Sequence, residues 1–133
     1  MSYFPDLSDY TYRPRDGSML NVGWLGRAHA YAVGPVPDQV VATLTTMADE
    51  QHNIMRGLHY CDFCNEESPI VLPADVPRGF VYLGMGELPV LAPDGTYSAP
   101  SLTIHCITEH SYQPPAEFID AVLHGQSCLL KCG

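Results

Sequence analysis

The sequence has few charged residues, and positive charge is especially scarce. Only 16% of the 133 residues are charged, and six Lys and Arg stand against fifteen Asp and Glu, which gives a formal net charge of −9. A chain this negative is repelled by phosphate backbones and by anionic lipid surfaces. We therefore expect neither nucleic acid nor a membrane among its partners.

Long apolar runs and an export signal are also missing. No hydrophobic stretch approaches the ~20 residues that span a bilayer. The opening MSYFPDLSDY has neither the basic region nor the apolar centre of a secretory signal. We therefore expect a cytoplasmic protein. In that reducing compartment a CxxC pair more often binds metal or does redox chemistry than forms a structural disulfide.

What the chain does contain is enough apolar material for one folded core. Hydrophobic residues make up 46% of the sequence, while twelve prolines and eleven glycines predict many turns and short elements. Neither a repeat nor a linker divides the chain, so we predict a single domain over residues 1–133. Within it, we expect residues 1–18 to form an irregular aromatic arm and residues 126–133 a flexible tail.

The spacing of apolar residues predicts both helices and strands. A helix is predicted over residues 37–55, where apolar side chains recur at spacings of three and four, and Gly57 would cap its end. Two further helices are expected, one from near Pro100 to before Pro114 and one in AEFIDAVLHG after Pro115. Four segments read as strands: MLNVGWL, HAYAV, PIVL and GFVYLGMGELPVL.

These elements predict an α+β fold, a small and mainly antiparallel sheet packed against three helices. Trp24 is the expected anchor of the first strand. Gly84 and Gly86 predict a bulge or a close approach of two backbones. The segment APDGTY reads as a turn that leads into the second helix.

Two short motifs carry the ligand types of a metal site. RGLHYCDFC contains Cys61 and Cys64 in CxxC spacing. HCITEH contains His105 and His110, which fall within the H-x₃₋₅-H window of zinc sites. Zinc is usually held by four such ligands arranged as a tetrahedron. The sequence therefore predicts a zinc clasp that joins two distant parts of the domain.

The helix that carries the two histidines poses a geometric problem. Residues five apart on a straight helix differ by roughly 140° of rotation, so His105 and His110 can share a metal only if the helix loosens on its approach to Pro114. Cys106 and His110, four apart, would share one face without distortion, which makes Cys106 a rival ligand. His59, two residues before the CxxC pair, is a further candidate.

Two other chemistries fit parts of these motifs. A CxxC pair can be redox-active, but that motif normally opens a helix after a strand, whereas here a helix precedes it and the charged loop NEES follows. Glu109 beside His110 invites comparison with the H-x-x-E-H zinc peptidase motif, but Cys106 occupies the first position of that frame. Two thiolates also blunt the acidity of zinc, so we favour a structural site without catalytic residues.

Several longer stretches resemble a family of small, uncharacterised bacterial proteins that is classed as a domain of unknown function. The resemblance rests on YFPDLSDYTY, VGWL, RGLHYCDFC and YSAPSLTIHCITEHSYQPPAEFIDAV, and it spans most of the chain. In that family the place of Cys106 is usually tyrosine, so the resemblance implies His105 and His110 as ligands. Cys128 and Cys132 lie outside the family's pattern.

Two functions are compatible with these patterns. We favour a zinc-stabilised binding module that acts through a protein partner, because the sequence shows no complete catalytic constellation, phosphate loop or basic patch. The alternative is a zinc-dependent hydrolase with an open metal position and Glu109 or His59 as base. For His59 we predict that the ring N–H donates to a ligand thiolate or a nearby carbonyl. A solvent-exposed loop histidine is the alternative.

Overall fold

The fold is that of a small α+β protein. A computed structural model describes residues 3–9, 19–51, 58–92 and 95–126. In these ranges the helices are α1 (Asp38–Met47), α2 (Thr103–His110) and α3 (Ala116–Ala121), which continues into a π-helical turn, Val122–Gln126. The strands are β1 (Met19–Asn21), β2 (Ile70–Pro73), β3 (Phe80–Leu83), β4 (Glu87–Ala92) and β5 (Gly95–Pro100). The predicted fold class is confirmed.

The strands form two small sheets. In the larger one β5 lies in the centre, parallel to β1 and antiparallel to β4, with Tyr97 opposite both Leu20 and Val90. The smaller sheet is an antiparallel hairpin of β2 and β3, in which Val71 faces Tyr82. Antiparallel pairing therefore predominates in the described residues, as the sequence predicts.

The central strand β5 is the element that sequence reasoning missed. Its segment, GTYSAP, was expected to be a turn followed by the start of a helix, yet α2 begins only at Thr103. Tyr97, Ser98 and Ala99 are all buried, and β5 has a hydrogen-bonded neighbour on each edge. A segment that includes Gly95, Ala99 and Pro100, all weak strand formers, is thus a strand through its tertiary surroundings.

Helix α1 is shorter than the predicted range 37–55. It ends at Met47, after which the N–H groups of Asp49 and Glu50 donate to carbonyls three residues back, at 3.2 and 3.1 Å. Bonds of that kind tighten the chain into a turn and do not continue an α-helix. The predicted cap at Gly57 lies outside the described residues.

Two strands predicted in the first third of the chain are longer than the structure shows. Of MLNVGWL only Met19–Asn21 is a strand. HAYAV contributes a single bridge, between Val33 and Tyr112. Trp24 is nevertheless the expected anchor, since it is buried and its indole N–H donates to the Ser98 carbonyl of β5 at 3.0 Å.

The core lies between the larger sheet and the helices. Helix α1 packs against α2 and the π-helical turn, and β4 packs against α3 and the same turn. Helix α2 is buried along its first five residues, Thr103 to Ile107, so it runs through the interior and not over the surface. Among the described residues, no helix is both long and apolar enough to cross a bilayer. The end of α2 is what positions the site.

Candidate metal centre

The CxxC motif forms a tight turn that other parts of the chain hold in place. Within the turn, the Phe63 N–H donates to the Cys61 sulfur at 3.4 Å. From outside, the Arg27 Nε–H donates to the Asp62 carbonyl at 2.7 Å, and the Arg27 backbone N–H donates to an Asp62 carboxylate oxygen at 3.3 Å. These bonds fix the backbone between the two cysteines, so both thiols are presented from a constrained loop.

The segment just before the turn is anchored by a close backbone contact at Gly84. The His59 N–H donates to the Gly84 carbonyl at 2.7 Å, and the Ser68 hydroxyl donates to the His59 carbonyl. Gly84 has a φ of 93°, and a Cβ there would lie 2.6 Å from the Ser68 hydroxyl oxygen and 2.7 Å from the His59 carbonyl oxygen. The close backbone approach predicted from this glycine is confirmed, and a side chain would prevent it.

Helix α2 supplies the two histidines, and it loosens at its end. The N–H of Ser111, the C-terminal cap, bonds to the Cys106 carbonyl five residues back, where a regular α-helix would bond four back. Ser111 itself is left-handed, with a φ of 58°, and the Tyr112 N–H also donates to the Cys106 carbonyl. The expected loosening is present, and it is centred on Ser111, three residues before Pro114.

Four side-chain ligand atoms converge between the turn and the helix. The Cys61 sulfur lies 3.3 Å from His110 Nε2, the Cys64 sulfur lies 3.3 Å from His105 Nε2, and the two Nε2 atoms are 3.3 Å apart. All four atoms lie within 4.8 Å of one another. Ordinary zinc bond lengths imply tetrahedron edges of about 3.3 Å between nitrogens and about 3.6 Å between nitrogen and sulfur. The cluster therefore has the size of a four-ligand metal site.

Burial disfavours the charged forms of the Cys61 and His105 side chains. Burial raises the pKa of Cys61; the Phe63 N–H opposes that shift and the neighbouring Cys64 thiol adds to it. Burial and then His110 lower the pKa of His105, while Glu66 acts in the opposite sense. A neutral imidazole keeps the lone pair that a metal requires, and a bound cation would reverse the preference of the thiols in favour of thiolate. Without a cation, the charged forms of Cys61 and His105 are therefore disfavoured, whereas a bound cation would favour the thiolates.

Cys106 is not part of the cluster. Its side chain is buried in the hydrophobic core, and burial raises the pKa of the Cys106 thiol to about 12. The thiol therefore stays protonated and unreactive at neutral pH. The rival ligand set, in which Cys106 replaces His105, is not brought together in the structure.

His59 differs from both predictions made for it. It is buried, at 5% exposure, so it is not a solvent-exposed loop residue. Neither of its ring nitrogens has a hydrogen-bond partner among the described residues, so the predicted donation to a thiolate or carbonyl is not found there. Its ring stands edge-on to Trp24, with the centroids 5.3 Å apart, and burial lowers the pKa of His59 although Glu87 opposes the shift. The segment before the cysteine turn directs the His59 ring inward, where it packs against Trp24 as an aromatic side chain would.

Sequence reasoning did not single out three other side chains beside the cluster. The Phe63 ring lies 5.6 Å from the His110 ring, and the Tyr31 hydroxyl donates to the His110 carbonyl at 3.0 Å. A Glu66 carboxylate oxygen lies 3.7 Å from Nδ1 of His105. From the sequence, Glu66 could be read only as part of the charged loop NEES, because its neighbour His105 lies on a helix distant in the sequence. Glu109, by contrast, is exposed, and Cys128 and Cys132 lie outside the described residues.

Fold and site together define a small α+β domain in which a cysteine turn and a helix end could share one metal ion. The chain belongs to the family described as a domain of unknown function, DUF7919, whose model matches residues 2–123. This confirms the resemblance seen in the sequence motifs. No curated protein and no solved structure matched the chain.

Proposed function

We propose that the domain binds one zinc ion through Cys61, Cys64, His105 and His110. The observation that carries this proposal is the convergence of their four ligand atoms within 4.8 Å. Two sulfur and two imidazole donors in a tetrahedron suit zinc, whereas magnesium and calcium take oxygen ligands.

The role of the zinc in this proposal is structural. The ion ties together positions 41 and 49 residues apart, Cys64 with His105 and Cys61 with His110. Four protein ligands fill the tetrahedron, which leaves no position for the water that a hydrolase would activate. The hydrolase alternative would use Glu109 or His59 as a base, but Glu109 is exposed on α2 and His59 is buried against Trp24. These features support a clasp that holds the cysteine turn against the helix.

At the level of the cell, we propose that the zinc-clasped domain is an interaction module and not an enzyme. Leu58 and Tyr60, on either side of the buried His59, are 41% and 49% exposed. They present apolar area on the segment that leads into the cysteine turn. The proposal takes these two side chains, two residues apart on one segment, as part of the surface that contacts the partner.

Zinc content tests the metal site directly. Protein purified without a histidine tag is expected to contain about one zinc per chain, as a four-ligand site requires. Cys61→Ser should lose the metal, whereas Cys106→Ala should keep it, because Cys106 is outside the cluster. Wild-type protein without zinc, or undiminished zinc in Cys61→Ser, would contradict the proposal.

Affinity capture from the native cell tests the interaction module. A Leu58→Ser, Tyr60→Ser double variant should lose the captured partner while it retains its zinc. Leu91→Ser is a matched control, because Leu91 is 43% exposed on β4 and not on this segment. Equal capture by the double variant and the control would rule out this surface as the binding site.

A further inference from the structure

The outer nitrogen of His105 faces a carboxylate. His105 is 4% exposed, and its Nε2 points into the ligand cluster, 3.3 Å from the Cys64 sulfur. On the far side of the ring, Nδ1 lies 3.7 Å from an oxygen of Glu66, whose side chain is 54% exposed. The imidazole is therefore placed between the candidate metal position and a carboxylate at the surface.

This placement matters because a neutral imidazole has only one N–H. If Nε2 gives its lone pair to a metal, the proton must sit on Nδ1, on a side chain that is only 4% exposed. A buried N–H without an acceptor costs free energy, so the ring needs an acceptor on that side. Glu66 is near enough that a small rotation of its exposed side chain would bring it from 3.7 Å into hydrogen-bond distance.

We propose that Glu66 is a positioning residue for the metal centre, which accepts a hydrogen bond from Nδ1–H of His105. This rests on the proposed zinc site. The bond holds the tautomer in which Nε2 is the ligand and fixes the ring plane toward the metal. It also makes the imidazole a stronger donor to the cation, as carboxylate partners of metal-bound histidines do in general.

The neighbouring residue provides a matched control. Glu67 is also an exposed carboxylate on the same loop, so Glu67→Gln removes the same charge one position away. Glu66→Gln keeps an amide oxygen that can still accept from Nδ1–H, whereas Glu66→Ala removes the acceptor altogether. Comparison of these three variants separates the hydrogen bond from general electrostatic attraction between the loop and the cation.

The test is zinc affinity by competition with a chromophoric chelator, together with ¹⁵N NMR of the zinc-loaded ring. Glu66→Ala should bind zinc about 10–100-fold more weakly, the usual cost of losing such a partner. Glu66→Gln should recover part of that loss, and Glu67→Gln should match the wild type. The Nδ1–H signal of His105 should exchange faster with water in Glu66→Ala alone, which a merely structural role of Glu66 would not produce.

Two results would overturn the inference, and they are distinguishable. If wild-type protein binds no zinc, the proposed metal site fails and the role of Glu66 fails with it. If the wild type binds zinc but Glu66→Ala binds as tightly as Glu67→Gln, with an unchanged Nδ1–H signal, the site stands and Glu66 has no positioning role.

Discussion

At the scale of single residues, the two inward-facing histidines near the cysteine turn have different surroundings. His105 has a candidate ligand set on one side of its ring and a carboxylate on the other. His59 has an aromatic neighbour, Trp24, and among the described residues its ring nitrogens have no hydrogen-bond partner. A buried polar group in that condition reduces stability, since it loses its hydrogen bonds to water on folding. We therefore assign His59 to packing and not to the metal.

Replacing His59 tests that assignment. His59→Leu should keep its full zinc content, because the His59 ring nitrogens do not reach the ligand atoms. Removal of buried polar atoms without partners should leave the free energy of unfolding unchanged or raise it by about 1 kcal/mol. Urea unfolding of the zinc-loaded proteins, with His110→Ala as the variant that loses the site, measures both effects. Loss of zinc in His59→Leu would make His59 part of the metal centre.

At the scale of elements, the N-terminal segment of residues 3–9 is held against the end of α2. One oxygen of Asp6 accepts the Tyr112 hydroxyl at 2.8 Å, and the other accepts the Gly23 N–H at 3.0 Å. Tyr112 is fully buried, and burial and then the nearby Asp6 charge raise the pKa of its hydroxyl. The hydroxyl therefore stays protonated and donates to the carboxylate. Residues 3–9, which belong to the arm predicted from the sequence, thus hold Tyr112, two residues beyond the end of α2.

Loss of the Asp6 carboxylate should destabilise the domain. Asp6→Ala leaves the buried Tyr112 hydroxyl without its acceptor, and hydrogen bonds to charged groups are worth about 1.5–3 kcal/mol. We expect a loss of that order in the free energy of unfolding, measured by chemical denaturation. The exposed Asp9 supplies the control, since Asp9→Ala should have little effect. Tyr112→Phe combined with Asp6→Ala should cost less than the sum of the two single changes; strict additivity would argue against the bond.

The elements also show which parts of this structure can be read from sequence. The convergence of Cys61, Cys64, His105 and His110 was predictable because cysteines at CxxC spacing and a histidine pair near a helix end are local patterns with a known chemistry. The central strand β5 was not, because its strand conformation depends on pairing with β1, which is distant in the sequence, as well as with β4. The contact of Glu66 with His105 was likewise hidden, since it joins a loop to a helix 39 positions further on in the numbering.

At the scale of the whole molecule, the candidate metal centre lies between parts of the chain that are distant in sequence. The turn at Cys61 and Cys64 precedes both β2 and β3 and the larger strands β4 and β5, whereas His105 and His110 follow them. A metal that joins the two sides closes a long loop around most of the strands. Its binding free energy therefore contributes to the stability of the folded domain.

Removal of the proposed zinc should lower the melting temperature. With free zinc about 1,000-fold above the dissociation constant, binding contributes about 4 kcal/mol, which corresponds to a change on the order of 10 °C for a domain of this size. Calorimetry with and without a strong chelator measures it. A Cys61→Ser, Cys64→Ser variant should melt at one temperature in both conditions. An equal chelator effect on that variant would place the stabilising metal elsewhere.

X-ray absorption at the zinc edge, on wild-type protein loaded with one equivalent of zinc, tests the central claim most directly. We predict two sulfur neighbours at about 2.3 Å and two imidazole nitrogens at about 2.0–2.1 Å. That result is the one required by a closed ligand set of Cys61, Cys64, His105 and His110. Three sulfur neighbours would bring a further cysteine into the site. A bound water in place of one imidazole would leave the metal open. Either result would contradict the closed four-ligand clasp.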